Sequence, residues 1–116
     1  MSGRASNVLH PSLETFEAEV MASGLPTLVD FWAPWCPPCQ MLKPELERLA
    51  PELEGRANVA FVNVDEHPGL AEAFRVSGIP ALFVLKGGRV VDAWTGYQSR
   101  KSVLGRLQAH MGSAGA

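Results

Sequence analysis

The chain has 116 residues, of which 47% are hydrophobic, so it is long enough for one domain with a buried core and too short for two. Its formal net charge is −2 and its lysines and arginines are scattered, which argues against a nucleic-acid-binding surface. The apolar runs are too short to span a membrane, and residues 1–11 lack the apolar centre of a signal peptide, so we expect a cytoplasmic protein.

The two ends of the chain differ in composition from the rest. Residues 1–7 are small and polar, and residues 112–116 read Gly-Ser-Ala-Gly-Ala. Short polar termini of this kind are commonly poorly ordered. We therefore expect a flexible N-terminal arm over 1–7, one folded domain over 8–111 and a flexible tail over 112–116.

The first half of the chain alternates between strand and helix patterns. Val8 and Leu9 predict a short strand, and a helix is predicted from Ser12 to Gly24 with three apolar side chains facing inward: Leu13, Phe16 and Val20. Residues 27–32 predict a buried strand. Leucines then recur at helical spacing and predict a long helix over about 36–53: Leu42, Leu46, Leu49 and Leu53.

The second half predicts a strand, a short helix and a hairpin. Residues 59–64 form a second buried strand pattern, followed by a turn and a short helix with three side chains predicted inward: Leu70, Ala73 and Phe74. Residues 81–85 and 89–94 predict two strands around a Lys-Gly-Gly turn. A last helix over 99–110 is predicted to bury Val103, Leu104 and Leu107, with Met111 as a further candidate. This order predicts an α/β fold with a central mixed β-sheet flanked by helices.

Cys36 and Cys39 are the only cysteines, and they lie where the first buried strand passes into the long helix. Residues three apart share one face of a helix, with Cβ atoms about 5–6 Å apart, so a disulfide needs little adjustment. Such a short loop removes little entropy from the unfolded chain, so stability is a poor reason for the pair. In a reducing compartment this spacing favours reversible redox chemistry.

The position at the start of the helix is expected to make a cysteine thiol more reactive. Unpaired backbone N–H groups and the positive end of the helix dipole favour a thiolate over a thiol. Cys36 lies at the N-terminus of the predicted helix and is predicted to be the attacking thiol. Cys39 lies one turn further in, so it is predicted to be more enclosed and to resolve the mixed disulfide that Cys36 forms.

Ordered motifs along the chain resemble those of the thioredoxin family. They are Val-Asp-Phe-Trp-Ala-Pro-Trp-Cys-Pro-Pro-Cys at 29–39, Lys-Pro at 43–44, Asn-Val-Asp at 63–65, Gly-Ile-Pro at 78–80, Lys-Gly-Gly at 86–88, and Gly96. The resemblance runs from about Val8 to Met111 and implies the thioredoxin fold, with helices on both faces of the sheet. A single Cys-x-x-Cys would be a weak signal, whereas several ordered motifs across the domain are a strong one.

The resemblance also implies a role for each matching residue. Cys36 would attack a partner disulfide and Cys39 would release the reduced partner. An apolar groove for the substrate chain would be lined by Trp35, Pro38, Gly78, Ile79, Pro80 and Gly96. Pro80 would follow a cis peptide bond, which leaves the main chain of Ile79 free to pair with an extended substrate.

Asp30 is the one acid in the first buried strand. Burial among Val29, Phe31 and Trp32 raises the pKa of its carboxyl, so the group can hold or accept a proton near neutral pH. We predict that Asp30 acts as the general base for Cys39, through water. The alternative is a buried acid that accepts a structural hydrogen bond.

Consecutive prolines between the cysteines depart from the family pattern, in which glycine is common at the position of Pro37. Pro37 and Pro38 both lack a backbone N–H group, so the Cys39 N–H becomes the nearest expected donor to the Cys36 thiolate. We therefore expect both prolines to tune the redox properties, with a potential that differs from the Cys-Gly-Pro-Cys type in a direction that the sequence leaves open.

Two further positions depart from the pattern. Phe61 stands where some thioredoxins place a lysine near the buried acid, and without that cation Asp30 is expected to be harder to ionise. Thr95 stands where the family often has an apolar residue, which indicates altered docking of partners.

Neither a bound cofactor nor a metal is expected. His10, His67 and His110 lie far apart in sequence, and the two cysteines supply only half of a zinc site.

Together these features predict a monomeric protein-disulfide reductase of the thioredoxin type. It would act on disulfide-containing proteins and be recycled by a separate thioredoxin reductase that uses NADPH and FAD, without nucleic acid or membrane partners. The Trp-Cys-Pro-Pro-Cys stretch also resembles tryparedoxins and nucleoredoxins, so a specialised electron donor to targets such as peroxidases is one alternative. A redox-indifferent binding or chaperone module is the other.

Overall fold

A mixed sheet forms the centre of the computed structural model, which describes residues 7–112. In chain order its strands are β1 (Val8–Leu9), β2 (Thr27–Trp32), β3 (Asn58–Asn63), β4 (Ala81–Lys86) and β5 (Arg89–Thr95). In space the order is β1-β3-β2-β4-β5. The first three in that order are parallel, whereas β4 runs antiparallel to β2 and β5 antiparallel to β4. The predicted mixed sheet is confirmed.

The helices connect and cover these strands. They are a π-helical segment at Glu17–Met21, α1 (Pro37–Leu49), a 3₁₀ turn at Ala50–Leu53, α2 (Pro68–Ala73) and α3 (Arg100–Gln108). The long helix predicted over 36–53 is therefore α-helical only to Leu49. Pro51 explains the change, because a proline lacks an N–H group and its ring clashes with the carbonyl of the turn before it. Within residues 7–112, no helix combines the length and apolarity needed to cross a membrane.

Alternation of side chains along the strands divides the core between the two faces of the sheet. One cluster packs beneath α1 and α3, and its buried members include Leu28, Leu42, Leu46, Phe61, Leu82, Val103 and Leu107. The other packs beneath the π-helical segment and α2, and it includes Phe16, Val20, Val29, Phe31, Val62 and Leu70. Helices therefore flank both faces, as predicted.

Two side chains that were predicted to face inward do not. Leu13 is 56% exposed, because the chain makes turns at residues 13–15 and the helical segment begins only afterwards. Ala73 is exposed on the short helix α2, where Leu70 is buried and Ala71 and the following Phe74 pack against the core.

Asn7 is anchored in the domain rather than lying in a loose arm. Its side chain is buried, and its Nδ2 donates to the carbonyls of Ala50 and Ala57 at 2.8 and 2.9 Å. Its own carbonyl accepts from the Val59 N–H at 2.8 Å. Residues 1–6 and 113–116 lie outside the described residues, so the flexible arm and tail stay predictions.

Candidate active site

Cys36 caps the start of α1. Its backbone is extended (φ −103°, ψ 107°), and its Sγ accepts a hydrogen bond from the Cys39 N–H at 3.3 Å. Pro37 and Pro38 occupy the first two helical positions, where the fixed φ of proline suits a helix start. Because neither proline has an N–H group, the Cys39 N–H is the donor that reaches this sulfur, as the sequence predicted.

The two cysteines form a disulfide, with Cα atoms 5.2 Å apart. Cys36 is 4% exposed and Cys39 is fully buried, so Cys39 is the more enclosed of the two, as predicted. Both pack against Ala33, with Trp32, Val64 and Ile79 around them. Of the two cysteines, only Cys36 is therefore reached by solvent.

The segment before β4 lies directly beside Cys36. The Ile79–Pro80 peptide bond is cis, and the Ile79 carbonyl oxygen lies 3.7 Å from the Cys36 Sγ. The Gly96 N–H donates to the Pro80 carbonyl at 2.7 Å, which ties the end of β5 to this segment. Gly96 has φ +101°, a conformation that residues with a side chain rarely adopt.

Gly78 and Thr95 meet at the edge of the same region. A Cβ atom on Gly78 would lie 3.5 Å from the Thr95 Cγ2, so these two positions are in contact. The structure thus brings Cys36, Gly78, Ile79, Pro80 and Gly96 together at one end of the sheet. Pro37 is exposed at this end, and Pro38 is half-buried.

Trp35 directly precedes Cys36 and is 64% exposed, yet its ring is held in place. Its Nε1–H donates to Asp65 Oδ2 at 2.8 Å. The Asp65 N–H in turn donates to Asn63 Oδ1 at 2.8 Å, which orders the loop after β3. Asp65 was not singled out from the sequence. The sequence did contain a signal for this contact: β2 and β3 are parallel neighbours, so the residues that follow them, Trp35 and Asp65, lie at the same edge of the sheet.

Asp30 lies in the middle of β2 and is fully buried. Neither of its carboxyl oxygens hydrogen-bonds to another of the described protein groups, so it makes no direct hydrogen bond to a cysteine. Burial raises the pKa of Asp30 from 3.8 to about 7, against an opposing effect of the positive charge on Lys43. The carboxyl can therefore exchange a proton near neutral pH.

A cation does lie near Asp30, although Phe61 stands where some thioredoxins place a lysine. Lys43 extends from α1, and its Nζ lies 4.9 Å from the centroid of the Phe61 ring. This charge comes from a long side chain on the neighbouring helix α1 and not from the strand position of Phe61. Burial still dominates over this charge, so the carboxyl remains hard to ionise.

In the described part of the chain, no group of three or more histidine, cysteine, aspartate or glutamate side chains is placed so that it could hold a metal ion. One of the three histidines, His10, stacks on the Phe61 ring with centroids 6.0 Å apart.

Comparison with known proteins gives one consistent result. The family model described as Thioredoxin matches residues 7–109. The chain is 42% identical to Thioredoxin 2 of Chlorobaculum tepidum over 85% of this chain and 91% of that protein. It is 39% identical to the thioredoxin of Haemophilus influenzae over 91% of this chain and 99% of that protein. With its Cys-x-x-Cys disulfide at the start of α1, the chain therefore belongs to the thioredoxin family and is a thiol–disulfide oxidoreductase.

Proposed function

We propose that this protein reduces disulfide bonds in other proteins through the dithiol of Cys36 and Cys39. The observation that carries the proposal is the Cys36–Cys39 pair at the start of α1, with the Cys36 sulfur facing the Ile79 carbonyl. The family match supports the same activity.

In the first step the Cys36 thiolate attacks one sulfur of a partner disulfide. A bond forms between Cys36 and that sulfur, and the partner's second sulfur leaves as a thiolate and takes up a proton. The positive end of the α1 dipole and the Cys39 N–H favour the Cys36 thiolate.

In the second step Cys39 resolves the mixed disulfide. Asp30 takes the proton of the Cys39 thiol through a water molecule, and the Cys39 thiolate attacks the Cys36 sulfur. The Cys36–Cys39 disulfide forms, and the partner's remaining sulfur leaves as a thiolate that is then protonated. The partner gains two electrons and two protons, and the dithiol loses them.

The substrate chain would bind beside Cys36, in the groove lined by Trp35, Pro38, Gly78, Ile79, Pro80 and Gly96. Among the described residues, no main-chain group hydrogen-bonds to the Ile79 main chain. An extended substrate segment can therefore pair with it as an added strand does. Trp35, held by Asp65, would form one wall of the groove.

Return of the protein to its reduced form requires a separate donor of two electrons. We propose a thioredoxin reductase that uses NADPH and FAD, with this protein acting as a cytoplasmic monomer without a bound cofactor. The cytoplasm is the compartment that we propose, because it is reducing, and in a reducing compartment a lone cysteine pair is used for catalysis more often than for structure.

Two assays test this function. Insulin disulfide reduction is expected with dithiothreitol and also with a thioredoxin reductase and NADPH. Activity with dithiothreitol alone would instead favour a specialised donor of the tryparedoxin or nucleoredoxin type.

Mixed-disulfide trapping then separates an enzyme from a binding module. Cys39→Ser is expected to hold partners covalently through Cys36, and the double variant Cys36→Ser with Cys39→Ser is expected to hold none. Equal engagement of partners by the double variant would show a redox-indifferent binder and would refute the proposed function.

A further inference from the structure

Gln40 binds the loop that precedes α1 with two of its groups. Its side-chain Nε2 donates to the Pro34 carbonyl, and its backbone N–H donates to the Cys36 carbonyl at 3.0 Å. The backbone contact is the first hydrogen bond of α1, which any residue other than proline would make at this position. The contact to Pro34 depends on the side chain alone. Because Gln40 is exposed, burial does not explain a glutamine there.

The Pro34 carbonyl belongs to the middle of a tight turn. The Cys36 N–H donates to the Ala33 carbonyl at 3.2 Å, which makes residues 33–36 a β-turn with Pro34 and Trp35 at its centre. Proline at the first central position fits both common turn types, I and II. These types differ in the orientation of the peptide between the two central residues, and that peptide carries the Pro34 carbonyl. The hydrogen bond from Gln40 therefore fixes the turn in one form.

The orientation of this peptide sets the backbone of Trp35 and so the direction of its ring. A type II turn would need a positive φ at the second central residue, a conformation that favours glycine. Among the described residues other than glycine, only Arg75 has a positive φ, so Trp35 has the φ of a type I turn. The edge of the ring is held separately, by the bond from Nε1 to Asp65. Gln40 and Asp65 thus hold Trp35 from the main chain and from the ring.

The contacts of the Cys36 sulfur do not involve the side chain of Gln40. The Sγ accepts from the Cys39 N–H and lies beside the Ile79 carbonyl. Loss of the Gln40 amide group would leave both contacts and the start of α1 in place. The amide group therefore acts on Trp35 and not on the reactivity of the thiolate.

We propose that Gln40 is a positioning residue for partner binding, whose side-chain amide locks the turn at 33–36 and thereby holds Trp35 as a wall of the substrate groove. The inference rests on the proposed function, in which a partner chain lies in that groove. Such a chain contacts the ring, so binding is favoured when the ring is already in place. A small disulfide reaches the Cys36 sulfur without filling the groove and has no such requirement. Gln40 therefore favours protein disulfides over small ones.

The test compares substitutions that differ in hydrogen bonding at position 40. Gln40→Met has a similar length and helix propensity, adds no charge and lacks the amide group. Gln40→Lys keeps a donor that can reach the Pro34 carbonyl. Gln108→Met replaces an exposed glutamine at the end of α3 and is the matched control.

The first readout is the rate constant of the reduced protein, measured by stopped flow with insulin and with bis(2-hydroxyethyl) disulfide. The ratio of the two rate constants is compared, because an effect on the Cys36 thiolate cancels in it. Gln40→Met is expected to lower the insulin rate constant and the ratio by about two- to fivefold, as for the loss of one exposed hydrogen bond. Gln40→Lys is expected to keep the wild-type ratio, and so is Gln108→Met.

The second readout is the order parameter of the Trp35 indole N–H, from nitrogen-15 relaxation of the oxidised protein. It is expected to fall in Gln40→Met and to stay at the wild-type value in Gln108→Met. An unchanged order parameter or an unchanged ratio in Gln40→Met overturns the inference. An equal loss with both disulfides also overturns it, because Gln40 would then act on the chemistry of Cys36. A wild-type protein that reduces neither disulfide would instead refute the proposed function, and the order parameter would still decide whether Gln40 holds the ring.

Discussion

Replacing Asp30 with asparagine is expected to remove a large pH dependence from the stability of the protein. In the unfolded chain this carboxyl ionises near its ordinary pKa of 3.8, whereas in the folded protein burial raises the pKa to about 7. Between these two values the unfolded state releases the proton and the folded state retains it. The free energy of unfolding therefore falls as pH rises through this window, and levels off above the folded-state pKa.

The size of the effect follows from the two pKa values. One pKa unit corresponds to about 1.4 kcal/mol, so a rise from 3.8 to about 7 is equivalent to about 4 kcal/mol at full ionisation. This figure is large compared with a typical stability of about 5–15 kcal/mol for a whole domain. Asparagine has nearly the shape of the protonated acid and does not ionise. The free energy of unfolding of Asp30→Asn, relative to that of the wild type, should therefore rise by about 4 kcal/mol between about pH 4 and pH 8.

The assay is urea denaturation of the oxidised protein at a series of pH values, since the disulfide keeps both thiols from titrating. The quantity to compare is the difference in unfolding free energy between wild type and Asp30→Asn, because contributions from the other carboxyls cancel in it. Glu72→Gln, an exposed change on α2, is the control and should give a difference that stays flat with pH. A flat difference for Asp30→Asn as well would refute the reasoning, since it would mean that Asp30 titrates alike in both states.

Other substitutions test separate parts of the account. Pro37→Gly restores a backbone N–H beside the Cys36 thiolate, which stabilises the dithiol form. The reduction potential measured against glutathione is therefore expected to shift toward the dithiol by on the order of 30 mV. An unchanged potential would show that Pro37 does not tune it. Asn7→Ala removes the donor to the Ala50 and Ala57 carbonyls and is expected to lower the free energy of unfolding by about 1–3 kcal/mol in urea denaturation. A loss near zero would mean that the first described residues contribute nothing to stability.

Much of the fold was predictable because its signals are local. The apolar run at 27–32 predicted a strand that the structure contains as β2, and the turn at 86–88 predicted the β4–β5 hairpin. The burial of Asp30 followed from its apolar neighbours in the strand, and the Cys39 N–H followed from the two prolines before it. In each case the deciding residues lie within a few positions of one another.

The misses arose where distant segments meet. Asn7 looked like part of a polar arm, but its side chain bonds to carbonyls more than forty positions away. Lys43 was noted only as part of the Lys-Pro motif, and only the packing of α1 on the sheet places its ammonium over Phe61. Periodicity carries no information on such contacts. A local miss was Leu13, which was assigned to the same helix face as Phe16 and Val20 but lies in the turns at residues 13–15 and is 56% exposed.

The central claim is that the start of α1 makes Cys36 a reactive thiolate at neutral pH. The most direct test is the rate at which iodoacetamide alkylates each cysteine of the reduced protein at neutral pH, resolved by mass spectrometry. Cys36 is expected to react faster than free cysteine and faster than the buried Cys39. A Cys36 rate no higher than that of free cysteine would contradict the account.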